Sequence, residues 1–148
     1  MIVIKQMSVD SQEAVFMMEE LSEQLKTITG SDGKSSFKRD EWNANEDIFA
    51  VAFEDNKAVG CGGIRKLSDC TAELKRMYAK EKKKGIGSAL LAFLEKEAKK
   101  SGYEEIRLET RRINENAVQF YLKKGYHVCE NFGRYKGKEE AVCFFKML

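Results

Sequence analysis

AELKRMYAKEKKKGIGSALLAFLEKEAKKS, from Ala72 to Ser101, is the stretch on which the reading of this chain turns. Residues 72–79 read as a strand. From Ile86 onward, Ile86, Ala89, Leu90, Phe93, Leu94 and Ala98 recur at spacings of three and four, which makes one apolar helix face. Lys96, Lys99 and Lys100 suit the C-terminal end of that helix, and Gly102 ends it. Between strand and helix lies a basic loop, Lys82-Lys83-Lys84-Gly85-Ile86-Gly87-Ser88. The first N–H groups of a helix have no partner within it, and the macrodipole adds partial positive charge there. Such an end receives anions. Two glycines let a ligand reach the backbone with no Cβ in the way, and three lysines add mobile positive charge. The simplest ligand is a phosphate or pyrophosphate.

Two nucleotide patterns are absent. No Gly-Lys-Ser or Gly-Lys-Thr occurs, so there is no P-loop, and the dinucleotide pattern G-x-G-x-x-G fails at Leu90. What remains is [QR]-x-x-G-x-[GA] opening a helix after a strand. Lys82 takes its first position, where Arg or Gln is usual, and Gly85 and Gly87 take the small-residue positions. A lysine meets phosphate as a point charge, without the planar fork of arginine. A second stretch, Asn114-Glu115-Asn116-Ala117-Val118-Gln119-Phe120-Tyr121-Leu122-Lys123-Lys124-Gly125-Tyr126, fits N-x-x-A-x-x-[FLI]-Y-x-[KR]-x-G-[FY]. With these two motifs the chain resembles the GNAT superfamily of N-acetyltransferases. The resemblance in motifs spans residues 72–126; the N-terminal half matches in element order.

That resemblance implies an acyl-CoA N-acyltransferase fold, a central mixed sheet flanked by helices, using acetyl-CoA as acyl donor. It implies that strand 72–79 splays from strand 105–110 and that the pantetheine arm lies in the gap, bonded to backbone near Met77 and Tyr78. The loop of Lys82, Lys83, Lys84, Gly85, Ile86, Gly87 and Ser88 would hold the pyrophosphate. Asn114 would bond the cofactor arm; its other role is to cap the helix that follows. Tyr121 would protonate the departing thiolate, the alternative being a packed helix tyrosine. Glu73 matches the position of the catalytic glutamate in some members and would act as general base through water, although many members manage without one. The reaction is direct attack of an amine in a ternary complex. Holding two reactants in attack geometry is worth effective molarities of about 10⁵ M or more.

The 148 residues suit a single domain, 1–148, with one core. A net charge of +2 is too small to argue for nucleic acid; the lysines at 80–84 have no interleaved aromatic residue. The basic charge is local, at 75–84, and residues 10–23 are acidic. No stretch approaches the roughly 20 apolar residues of a membrane span, and no signal peptide is read. Cys61, Cys70, Cys129 and Cys143 are scattered and read as reduced thiols of a cytoplasmic protein. With one histidine, His127, no metal site is expected.

In chain order, 2–5 begins a strand. Asp10-Ser11-Gln12-Glu13 reads as a capping box for a helix with the stripe Ala14, Met17, Met18, Leu21, Leu25 and Ile28. A short second helix is expected at 37–43. Strands 47–53 and 58–66 form a hairpin, and Gly60, Gly62 and Gly63 suggest a bulge or a close approach of backbone. Strand 105–110, helix 117–124, strand 126–130, a loop at 131–138 and strand 141–147 follow. The class is α+β, a mixed sheet with helices on both faces.

The acceptor is expected to be an amine of a small molecule or a protein, met by the first helices, the loop at 30–39 and the tail at 131–138. Trp42 and Tyr135 are candidate wall residues, and Arg65, Arg107, Arg111 and Arg112 are candidates for an acceptor carboxylate. The protein would act as a monomer or homodimer. The competing reading is a non-catalytic acyl-CoA-binding regulatory module.

Overall fold

The computed structural model describes residues 1–81 and 85–148. Seven strands form one sheet: β1 (Ile2–Gln6), β2 (Ile48–Glu54), β3 (Lys57–Lys66), β4 (Thr71–Ala79), β5 (Glu105–Arg111), β6 (His127–Cys129) and β7 (Ala141–Met147). Three helices join them: α1 (Gln12–Thr29), α2 (Ile86–Lys100) and α3 (Glu115–Lys123). The strand order is β1-β2-β3-β4-β5-β7-β6. Of the neighbouring strand pairs only β4 and β5 run parallel, and the crossover helix α2 joins them. This is the mixed sheet that the sequence predicts.

The helices divide between the faces. Leu90, Leu91, Leu94 and Ala98 of α2 are buried against Ala50, Ala52, Ile64, Leu74, Ile106 and Leu108. Each buried leucine is worth about 1.5–3 kcal/mol. Tyr121 of α3 joins the same core. On the opposite face, Ala14, Met17 and Met18 of α1 pack on Phe49, Val51 and Cys61. A smaller cluster on that face seats Tyr135 on Ala141 and Cys143. α1 therefore covers β2 to β4, and the loop between β6 and β7 covers part of β7. Among the described residues no helix is long and apolar enough to cross a membrane.

Three local expectations need correction. The α1 cap is Ser11, whose Oγ accepts from Ala14 N at 3.2 Å, one residue later than the capping box predicts. The expected helix at 37–43 is instead two 3-10 turns, Lys34–Ser36 and Arg39–Glu41. Phe37 and Trp42 pack together there, with ring centroids 5.5 Å apart, and an extended Phe37 and Lys38 separate the turns. Of the α1 stripe, Leu25 and Ile28 are only half-buried, because they wall a cleft.

Candidate active site

A defect in the sheet makes the cleft. β4 and β5 pair at Thr71–Glu105, Ala72–Ile106 and Glu73–Arg107, and nowhere beyond. The strands diverge from there, so the β5-facing edge of β4 has no strand partner from Leu74 onward. The cause lies across β4, in its pairing with β3. Cys61 faces Tyr78 but Gly63 faces Lys75, which leaves one extra residue on β4. Arg76 carries the strain at φ 57, a left-handed conformation for a residue with a Cβ. The glycines of β3 make room for this bulge. A Cβ on Gly60 would lie 2.7 Å from the Tyr78 carbonyl oxygen, and one on Gly62 would collide with Met77 Sδ. The bulge and the close approach expected at these glycines are thus one feature.

A cleft of about 530 Å³ occupies the divergence. Toward α2 and α3 it is walled by Met77, Gly85, Gly87, Ser88, Asn114 and Tyr121, whereas Tyr78, whose hydroxyl donates to Glu20 of α1 at 3.4 Å, turns its ring to the α1 side. Toward α1 it is walled by Leu25, Ile28, Lys75, Glu109, Arg111 and Tyr135. One cavity therefore opens to both faces of the sheet through the gap. Its end near Gly85 is the start of α2, where Gly85 holds φ 75 and Cβ space is empty. An exposed strand edge with unsatisfied N–H and C=O groups suits an extended, amide-bearing chain.

Tyr121 stands at the waist of this cleft. It is 7% exposed, ringed by Phe120, Tyr126 and Phe144 with centroids 5.1, 5.6 and 6.1 Å away. Burial pushes its phenol well above the ordinary tyrosine range. No described protein group hydrogen-bonds its hydroxyl, so at neutral pH it is a protonated donor facing the cleft.

Glu73 does not face the cleft. It is 4% exposed, with Oε2 3.4 Å from Lys75 Nζ and 3.3 Å from Tyr135 Oη, which donates to it. Lys75 Nζ donates in turn to Tyr135 Oη at 2.8 Å. Burial holds the lysine below its usual range despite Glu73, and raises the tyrosine. Lys75 and Tyr135 line the cleft and stand between it and Glu73. Glu109 does line it, and burial raises its carboxyl, opposed by Arg111 and Lys75.

Met77, Tyr78, Gly85, Gly87, Ser88, Asn114 and Tyr121 thus meet at one cavity, whereas Lys82, Lys83 and Lys84 lie outside the described residues. Ile86 is 1% exposed in the core, so only its backbone is available to a ligand. Asn114 caps α3, its Oδ1 accepting from Ala117 N at 3.4 Å, and it lines the cleft as well. Trp42 is no wall residue; it packs on Phe49. Of the four candidate arginines only Arg111 lines the cleft. Arg65 faces Glu41, Arg107 pairs with Glu105 at 2.8 Å, and Arg112 donates to the backbone of Glu139 and Ala141.

The sequence reading missed Glu109, Lys75 and Arg76. Arg76 ties the bulge to α1 and the following loop, donating to Met18 O at 3.0 Å, Ser22 Oγ at 2.5 Å and Asp32 O at 3.3 Å. Glu109 was legible as a charge on the inward side of a strand facing the gap. Among the described residues no group of three or more His, Cys, Asp or Glu is gathered for a metal ion.

Comparison with known proteins agrees with this geometry. Residues 15–126 match the family model of the acetyltransferase (GNAT) family. The uncharacterized N-acetyltransferase YsnE of Bacillus subtilis is 33% identical over 107 residues, covering 70% of this chain and 71% of its own. An IAA acetyltransferase of Azospirillum brasilense is 34% identical over 96 residues, 62% of this chain and 63% of that one. In fold, a Klebsiella pneumoniae protein assigned as an acyl-CoA N-acyltransferase superposes with a TM-score of 0.87 at 23% identity, over 100% of this chain and 98% of that one. The PaiA N-acetyltransferase of Thermoplasma acidophilum, solved with coenzyme A, superposes at 0.75 with 24% identity, over 100% and 99%.

Proposed function

The chain belongs to the GNAT family of acetyltransferases, and on that premise we propose how its cleft performs acetyl-CoA-dependent N-acetylation. The single observation that carries the reading is the unpaired edge of β4 beside a hydroxyl donor, Tyr121, in a cleft open to both faces. Bound acetyl-CoA supplies an activated thioester that an amine attacks directly. The β4 edge at Met77 and Tyr78 pairs with the pantetheine amides, and backbone N–H groups there stabilise the charge that builds on the carbonyl oxygen. Gly85, Gly87 and Ser88 take the pyrophosphate at the start of α2, with Lys82, Lys83 and Lys84 preceding them in the chain and Asn114 on the cofactor arm. The donor enters from the α2–α3 face and the acceptor from the α1 face.

The proton balance assigns two roles. As the N–C bond forms and the C–S bond breaks, the amine loses a proton and the sulfur gains one. Tyr121 Oη gives a proton to the sulfur; burial keeps the phenol protonated at neutral pH, so the proton is in place when the thiolate departs. Glu73 acts as base at a distance, through the Tyr135 hydroxyl that it accepts from. The four cysteines are unpaired, which fits a reducing, cytoplasmic setting.

The test is transfer of acetyl from acetyl-CoA to an amine panel by wild type and Tyr121→Phe. The wild type should turn over, and the variant should lose roughly 10²-fold or more in kcat with unchanged acetyl-CoA affinity. The lost hydroxyl has no hydrogen-bond partner among the described residues, so folding should not suffer. Acetyl-CoA binding without turnover of any amine would favour a regulatory acyl-CoA-binding module instead.

A further inference from the structure

The α1 side of the cleft carries charge that the donor does not require. Alternation along β5 puts Glu109 and Arg111 on the side of Arg107, whose guanidinium lies 5.9 Å over the Phe132 ring on the α1 face. Arg134 and Lys138, from the loop between β6 and β7, line the same mouth. Arg111 and Lys138 both act electrostatically on Glu109, and Arg134 acts on Tyr135, so these groups share one neighbourhood. The pyrophosphate loop opens α2 on the opposite face.

None of Arg111, Arg134 and Lys138 makes an ion pair among the described residues, although Arg107 and Lys146 on the same half of the sheet do, at 2.8 and 3.1 Å. Glu109 makes no hydrogen bond to a described protein group. Among the described residues the other lining carboxylate besides Glu109 is the exposed Glu140, against Arg111, Arg134 and Lys138, Lys75 being already paired with Glu73. A plain alkylammonium would bring one more positive charge into this surplus. An acceptor carrying its own anion would relieve it and meet the cations that line this mouth. The size of the cleft suits a small molecule.

We infer that the acceptor is a small zwitterion, its amine seated at Glu109 and an anionic oxygen group a few atoms away held by Arg111, Arg134 and Lys138. This rests on the acetyltransferase reading and names the acceptor class for it. The anion is a carboxylate or a phosphate; the same cations receive either.

The experiment follows thiol release with saturating acetyl-CoA and three matched acceptor sets: ω-amino acids, aminoalkyl phosphates, and the same amines with a neutral carboxamide in place of the acid. One acidic set should exceed the neutral set in kcat/KM by about tenfold or more, the worth of one charge-assisted hydrogen bond. Which acidic set leads identifies the anion. Arg111→Gln with Arg134→Gln should erase the preference and leave acetyl-CoA affinity intact. Arg65→Gln, at a residue away from the cleft, should change neither. Equal or faster turnover of the neutral amines would overturn the inference while leaving the acetyltransferase intact. An arginine pair whose loss slows acidic and neutral amines alike would also overturn it. Binding of acetyl-CoA with no turnover of any set would instead overturn the reading on which the inference stands.

Discussion

Replacing Gly60 with alanine tests the account of how the cleft is made. In an ordinary strand this change should stabilise by about 0.5–1 kcal/mol, because glycine gives up more conformational freedom than alanine on folding. The structure predicts the opposite sign. The new Cβ would lie 2.7 Å from the Tyr78 carbonyl oxygen and 2.8 Å from Ile86 Cγ2. The second contact can yield by a rotamer change, but the first is backbone and cannot. β3 and β4 must separate, at the cost typical of overpacking, about 1–3 kcal/mol. With a urea slope of about 1.5 kcal/mol/M, a loss of about 2 kcal/mol lowers the midpoint by roughly 1.3 M. Because Tyr78 also walls the cleft, acetyl-CoA affinity by calorimetry should fall with it. An unchanged or raised midpoint would show that β3 has room for a side chain and that the bulge does not depend on glycine.

Gly85→Asp should weaken acetyl-CoA binding by about tenfold or more, since a carboxylate then occupies the anion-receiving start of α2. The open space there spares the fold a clash, and Gly85→Ala, measured by calorimetry beside it, separates the charge from the strain at φ 75. Equal affinity of Gly85→Asp and Gly85→Ala would remove the pyrophosphate from this loop. Glu109→Gln probes burial through pH. The fold raises this carboxyl above its unfolded value near about 4.3, so the native chain holds the extra proton between the two values. Stability then falls as pH rises through that window. The variant should therefore melt higher than wild type at pH 7 and lose this advantage below about pH 4. A melting difference independent of pH would separate Glu109 from it.

Local periodicity and motif spacing carried most of the architecture. The α2 stripe, the glycines flanking Ile86 and the motif from Asn114 to Tyr126 are short-range patterns, and each lies where its period places it. Residues 37–43 failed because their apolar members, Phe37 and Trp42, pack through tertiary ring contacts that helical spacing does not encode. The site was half legible. The side proposed for the donor carries two local motifs, the loop opening α2 and the stretch from Asn114 to Tyr126. The side proposed for the acceptor is assembled from β4, β5 and a distant loop. No local pattern announces that Tyr135 stands over Glu73 or that Glu109 faces Lys75. Glu73 itself illustrates the limit: its position in the strand was readable, but the lysine and tyrosine between it and the cavity come from the fold.

The three residue pairs that join β4 to β5 leave the sheet as two panels sharing a short seam. β1 to β4 form one panel; β5, β7 and β6 form the other. Beyond Glu73 and Arg107 no β4–β5 backbone pairing joins them. A molecule that hydrogen-bonds along the free edge and touches Tyr121 acts as a brace between them. Torsional stiffness and donor affinity then become two measures of one contact, and slowed amide exchange along the seam strands should report on both.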